Sequence, residues 1–224
     1  MAHSAALQTS EPAEGQDGGK DVDRIAAFSD AIYAFSMTVL ATEIKVPIVT
    51  GDLASALPPA MIEQLPHFLS FIVAFLVVAL YWTGHHRMFR HIRRVDSRLI
   101  WLNIFMLMFV AFMPVASGYM GEYGEIGLIA ALDACVLIAI SVFSALLWRH
   151  AATAGLLDKT VTPRLVRLFQ WRVIVLAIVF GLSIPIALTL GAIPAELSWI
   201  LIWPAMVLVG RRYRDVTPLI YGQA

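Results

Sequence analysis

Six long apolar stretches separated by alternately basic and acidic connections constrain this chain more than any other feature. A helix needs about 20 apolar residues to cross the hydrocarbon core of a bilayer. Stretches of that kind run over about 25–46, 66–84, 99–119, 126–148, 173–190 and 193–209. The second follows Pro58 and Pro59, and the last two are separated by a few residues around Gly191, which predicts a tight hairpin. Pro114, Pro185 and Pro204 fall inside spans, where each is expected to kink its helix. Only 14% of the residues are charged against 59% hydrophobic, whereas a soluble domain carries about 25% charged residues. There is too little polar surface to cover a globule in water, so lipid is the expected solvent. The fold class read from this pattern is an all-α membrane protein of six transmembrane helices.

Charge sets the orientation. The 16 Lys and Arg balance 16 Asp and Glu, so nothing points to nucleic acid as a partner. Their distribution is uneven. Lys20 and Arg24 precede the first span, five arginines lie between Arg87 and Arg98, and Arg149, Lys159, Arg164, Arg167 and Arg172 lie between the fourth and fifth spans. Arg211, Arg212 and Arg214 follow the sixth. Lys45 alone falls on the other side, with Asp52, Glu63, Glu122, Glu125 and Glu196. Lys and Arg concentrate in cytoplasmic loops, so both termini are expected in the cytoplasm, with the chain in the cell (inner) membrane. Residues 1–20, polar and Gly-rich, read as a disordered tail, 21–215 as the membrane domain and 216–224 as a second tail. The basic-aromatic segment TPRLVRLFQWR (162–172) is expected to lie partly in the membrane interface. The single Cys135 has no intrachain partner.

Several polar residues fall at one depth near the cytoplasmic ends of the first three spans. Asp30, in RIAAFSD (24–30), lies about six residues into its helix, roughly 9 Å. Ser29 is beside it, Trp82 and His85 lie in YWTGHHRMF (81–89), and Asn103 ends RLIWLN (98–103). An intramembrane carboxylate is costly unless paired. Trp82 brings an indole donor, Asn103 a donor and an acceptor, and Asp30 accepts. Two readings of Asp30 stand: a clasp between helices, or a proton or ion site. His85, His86 and His91 form too sparse a set for a metal centre of the repeated-histidine kind. No metal and no cofactor is expected. Asp133, in the fourth span, is a second intramembrane acid whose partner the sequence does not name. It is read as a functional candidate or as a local hydrogen bond to a neighbouring helix.

At 100° per residue, Arg24, Phe28, Ala31, Phe35, Thr38, Thr42 and Lys45 form one stripe on the first helix, with Val39 on its shoulder. The alternating spacing of four and three is that of a heptad seam. Asp30 shares another face with Ala27, Ala34 and Ala41, small residues that permit close helix contact. Ser29, Tyr33, Ser36, Leu40 and Glu43 make a third. The stripe is either the lining of a symmetric axis or a packing seam within one subunit.

RIAAFSD, YWTGHHRMF and RLIWLN together resemble the endosomal and lysosomal potassium channel family of transmembrane protein 175, in particular its single-repeat prokaryotic members. The resemblance covers spans one to three by motif and the rest by number and length. It implies a homotetramer in which four copies of helix 1 line a central, potassium-preferring cation pore. Potassium is then the permeant ion, and the other copies and membrane lipid are the partners. It places the hydrophobic constriction on Phe35, where Ile or Leu is usual, and further pore-lining positions on Thr38, Val39 and Thr42, the last in place of a usual Leu. It also implies an interhelical network of Arg24, Phe28, Ser29 and Asp30 with Trp82, His85 and Asn103. No run of backbone carbonyls of the TVGYG kind is present, so selection would rest on a narrow ring of Phe35 that dries the pore, with Thr38 hydroxyls replacing some lost water. Glu43 is either an outer attractor for cations or a solvated helix end. A secondary transporter is the alternative function, although no internal duplication of the transporter kind is evident. No nucleophile–base pair marks an enzyme.

Overall fold

In lipid each backbone N–H and C=O must find its partner within the protein, which leaves the helix as the natural spanning form for apolar runs of this length. The computed structural model describes residues 14–44 and 46–217, with side chains from Gly19 onward. Its helices are α1 (Glu14–Leu40, followed by a 3-10 turn, Ala41–Glu43), α2 (Leu53–Glu63), α3 (Leu65–Phe89), α4 (Ser97–Tyr123) and α5 (Gly127–Thr153). α6 (Pro163–Leu190), α7 (Ala192–Ser198), a 3-10 turn (Trp199–Leu201) and α8 (Ile202–Arg212) follow. Six helical segments are long and apolar enough to cross a membrane: Gly19–Glu43, α3, α4, α5, α6 and the composite Ala192–Arg212.

Three local features differ from the sequence reading. The segment 162–172 is not a loop but the start of α6. Pro163 occupies the first helical position, the Thr162 hydroxyl accepts from the Leu165 N–H at 3.3 Å, and Leu165, Leu168 and Phe169 are buried while Arg164 and Arg167 are exposed. Proline at that position surrenders an N–H that would be unpaired anyway, and the threonine satisfies another. A helix suited at its start and amphipathic thereafter has no reason to unwind. The second difference is α2, a short helix ahead of the second span that contains Pro58 and Pro59 and buries none of its residues. Asp52 caps it by accepting from Ala54 N. Third, α1 starts at Glu14, within the stretch read as a tail. The remainder of that tail, and 218–224, lie outside the described residues.

The prolines act unequally. α4 and α6 run continuously through Pro114 and Pro185. The sixth span is broken into α7 and α8, and the break at Trp199–Leu201 ends three residues before Pro204, which lies in the first turn of α8. Proline removes a donor and its ring crowds the carbonyl four residues back, which here is Ile200. Gly191 alone separates α6 from α7, at φ 94° and ψ 177°, a conformation open essentially to glycine. The hairpin expected there therefore needs this residue.

α5 is the central element, packed mainly against α6 and α4, and Ala134, Leu137, Ile140, Leu147 and Trp148 are buried along it. α1 packs on α3 and α4 at one edge of the bundle. Buried serines on α5 and α6 are satisfied within their own helices: Ser141, Ser144 and Ser183 donate to Leu137 O, Ile140 O and Phe180 O. This local bonding lets a small polar residue sit at a helix interface without an orphaned hydroxyl. Close approach is tightest where α5 begins. A Cβ on Gly127 would collide with the Ala187 carbonyl oxygen of α6.

At the arginine-rich end, the α3–α4 and α5–α6 turns are stitched together. Arg93 N donates to Leu156 O at 2.9 Å and Asp158 N to His91 O at 2.8 Å. The Arg93 guanidinium donates to the Asp158 carboxylate at 2.6 Å. Hydrogen bonds from the Thr160 hydroxyl and amide, and then from Arg93, hold the Asp158 carboxyl far below its usual range. Asp96 caps α4 by accepting from Leu99 N at 2.8 Å and meets His150 Nε2 at 2.7 Å. Burial works to raise the Asp96 carboxyl, but the Leu99 N–H and His150 outweigh it and leave it below its ordinary value.

Two outcomes are expected. Gly127→Ala forces α5 away from α6 and lowers the unfolding temperature of the detergent-solubilised protein, a backbone collision being one of the few routes to a loss above about 3 kcal/mol. Asp96→Ala costs about 1 kcal/mol at neutral pH through the lost cap. Because the folded carboxyl titrates below the unfolded one, this stability is present above the unfolded value of about 3.9 and fades as pH falls below it. The gap between native and variant melting curves therefore narrows in acid.

Candidate functional site

The first helix is two-faced within the protomer. Val22, Ser29, Tyr33, Ser36 and Leu40 are buried against α3 and α4. The opposite face, with Arg24, Phe28, Ala31, Phe35, Thr38 and Thr42, is exposed. Phe35 is 65% exposed and Phe28 54%. Ala27, Ala34 and Ala41 share this exposed side, and Val39 is half-buried at its margin. Lys45 lies outside the described residues. A packing seam within one subunit, the second reading of the stripe, is thus not what the protomer provides, since the seam it uses is the one through Ser29 and Ser36. The Thr38 hydroxyl donates to Phe35 O at 2.8 Å and that of Thr42 to Val39 O at 2.7 Å, so each proton is spent on the helix and the oxygen lone pairs remain.

Two polar links fix this rotation. Asp30 Oδ1 accepts from Trp82 Nε1 at 2.8 Å, joining α1 to α3. The second link is a buried chain. Ser29 Oγ donates to Ile25 O at 2.8 Å, so it can only accept from Asn103 Nδ2, at 2.9 Å. That orients the Asn103 amide and aims its Oδ1 at His85 Nε2, 2.9 Å away. An amide oxygen cannot donate, so the histidine proton sits on Nε2. All three side chains are essentially inaccessible, and the His85 ring stacks on Phe89 with 4.3 Å between centroids. Arg24 and Phe28, which the resemblance groups with these residues, are on the exposed face of the protomer.

The structure adds residues that motif reading did not find. Ser36 Oγ donates to Val110 O at 2.8 Å, a third buried tie between α1 and α4. Tyr81 OH lies 2.6 Å from Ser141 Oγ and donates to Leu137 O. Only the regular spacing of Ser29, Tyr33, Ser36 and Leu40 on one face hinted at the first. Glu43 is turned toward α4, its carboxylate against Gly118. It is half-buried and off the exposed stripe, because a helix residue seven positions after Ser36 returns to the packed side. Asp133 is buried with Oδ1 unpartnered, so the local hydrogen bond considered for it does not form. Among the described residues, no three His, Cys, Asp or Glu gather closely enough to hold a metal ion.

Fold and site together define a multi-pass, all-helical membrane protein with an outward-facing, partly polar first helix. The profile of the family described as "Endosomal/lysosomal potassium channel TMEM175" matches residues 24–114, the region of α1, α3 and most of α4. A potassium channel of Streptomyces collinus is 35% identical over 143 residues, covering 62% of this chain and 68% of that protein. A potassium channel of Chamaesiphon minutus is 34% identical over 141 residues, covering 60% and 68%. The crystal structure of a lysosomal potassium-selective channel TMEM175 homolog from Chamaesiphon minutus aligns with a TM-score of 0.67 at 26% identity, covering 87% of this chain and 98% of that one. The chain belongs to the TMEM175 channel family.

Asn103→Ala leaves both Ser29 and His85 without their partner in a buried position, a loss of about 1–3 kcal/mol. Thermal unfolding in detergent is expected to show it as a clear drop in stability, larger than that of an exposed-face change such as Ala31→Ser.

Proposed function

We propose that this chain assembles as a homotetramer in the inner membrane and conducts potassium passively through a central pore lined by four copies of α1. The observation that carries the reading is the exposed heptad face of α1, with Phe35 at 65% exposure, on a helix whose opposite face is locked into its own protomer. A polar-aromatic stripe facing lipid would gain nothing from its threonines. Facing three other copies, it surrounds an axis. The potassium channels among the relatives favour that ion. The arginine-rich loops favour a cytoplasmic position for both termini.

In this arrangement four Phe35 rings make the constriction, and a narrow apolar ring gates by expelling water. Potassium gives up hydration more readily than sodium, so a dry, weakly coordinating passage prefers it. Thr38 and Thr42 contribute, because hydroxyl protons committed to Phe35 O and Val39 O leave oxygens to face a cation. Val39 completes the wall between them. The Ser29–Asn103–His85 chain and the Asp30–Trp82 bond act as a clasp that holds α1 at the required rotation. Asp30 is then structural rather than an ion site.

The test is purified protein in liposomes, with mass measured in detergent. Tetramer mass and passive potassium flow down its gradient are expected. Phe35→Ala should raise the flux and reduce the preference for potassium over sodium several-fold. Flux that requires a coupled second solute would establish the transporter alternative, and a Phe35→Ala variant with native flux and selectivity would remove Phe35 from the constriction.

A further inference from the structure

The two intramembrane acids differ in one respect. Asp30 is paired with an indole N–H. Asp133, 7% exposed, has an Oδ1 with no hydrogen-bond partner. An indole N–H is also left over near it: Trp199 Nε1, in the break of the sixth span, is buried without an acceptor. Both line one cavity of about 650 Å³ between α3, α4, α5 and α7, whose wall includes the α4–α5 turn.

The charge of this cavity has one sign. Glu122, Glu125, Asp133 and Glu196 line it, and no Lys, Arg or His does among the described residues. His67 stands close by, its ring against Gly121. Glu196, from α7, lines the same wall region as Asp133 of α5. The remaining wall is mostly apolar, with Leu69, Val73 and Met113. The two serines in it, Ser70 and Ser117, are spent on each other at 3.3 Å.

Size and chemistry narrow the occupant. Water occupies about 30 Å³ per molecule, so one bridging water would leave most of the space empty. Small-molecule sites run from about 300 to 1,000 Å³, apolar with a few polar groups that fix orientation. A bare metal ion is a poor fit, since no set of three ligating side chains exists among the described residues. A cation with donor hydrogens and an apolar body answers the carboxylates and the wall: an ammonium group for Asp133 and Glu196, hydrocarbon for the wall. We infer that this cavity is a binding site for a small organic ammonium ion, with Asp133 as its anchoring carboxylate. Glu196 supports the charge, and Glu125 adds to it from the α4–α5 turn. The site is set apart from the exposed face of α1, so it stands independently of conduction through that face.

The probe is n-hexylammonium, with 1-hexanol as its neutral counterpart, on the full-length protein in detergent. Saturable thermal stabilisation by hexylammonium and none by hexanol at equal concentration is expected. Asp133→Asn should weaken hexylammonium at least about tenfold, the scale of one lost charge-assisted contact. Glu196→Gln should weaken it less, and Phe35→Ala should leave it unchanged. Equal stabilisation by hexanol, or native affinity in Asp133→Asn, overturns the site. If Asp133→Asn does not fold, the hexanol comparison on the native protein and the Glu196→Gln affinity decide. Repeating the titration in phosphatidylglycerol nanodiscs with and without phosphatidylethanolamine separates the sources. Competition identifies the lipid headgroup amine as the occupant, and unchanged affinity identifies a free amine; both uphold an ammonium site.

Discussion

The position of every functional group on α1 depends on the rotation of that helix about its own axis, and Asn103 sets it. A transmembrane helix gains little from turning one apolar face rather than another toward its neighbours, because lipid is as apolar as they are. Polar bonds buried between helices supply the missing preference. Asn103 spends its donor on Ser29 and its acceptor on His85, and a turn of α1 by one residue would break the first and leave two groups unpaired in hydrocarbon. Ser36, bonded to Val110 O, repeats the constraint two turns away. With these in place Phe35, Thr38 and Thr42 have only one direction to face.

The same economy explains where the bundle is tight and where it is open. Around α5, serines bonded to their own helices and a glycine against the α6 backbone bring the helices close. Toward the sixth span, Pro204 and the 3-10 turn before it break the regular surface, and Trp199 is left with a buried N–H. The cavity with Asp133 forms next to that break. One end of the molecule thus carries a paired acid in a packed network, and the other an unpaired acid in a space able to take a ligand.

Much of this was legible in the sequence, element by element. Apolar length gave six helices because nothing else satisfies a backbone in lipid. Trp82, His85, Asn103, Ser29 and Asp30 could be placed at one depth because helical rise is fixed at 1.5 Å per residue. Depth does not give azimuth. Arg24 and Phe28 join the network only through the family resemblance; the 100° projection puts them on the Phe35 stripe, where they are exposed, and the tie from Ser36 to a backbone carbonyl has no motif to announce it. The start of α6 reads as a loop when its arginines are weighed alone, while its Thr-Pro start and buried Leu165, Leu168 and Phe169 specify helix.

The sequence by itself determined the solvent, the number of crossings and the asymmetry of charge, since these follow from the transfer energy of each segment taken alone. Only the tertiary structure decided which stripe of α1 is packed and which is free, that Glu43 turns inward, and that Asp133 goes without the partner Asp30 has. Those outcomes turn on which side chains from distant segments meet within about 3 Å, a quantity that neither composition nor periodicity contains.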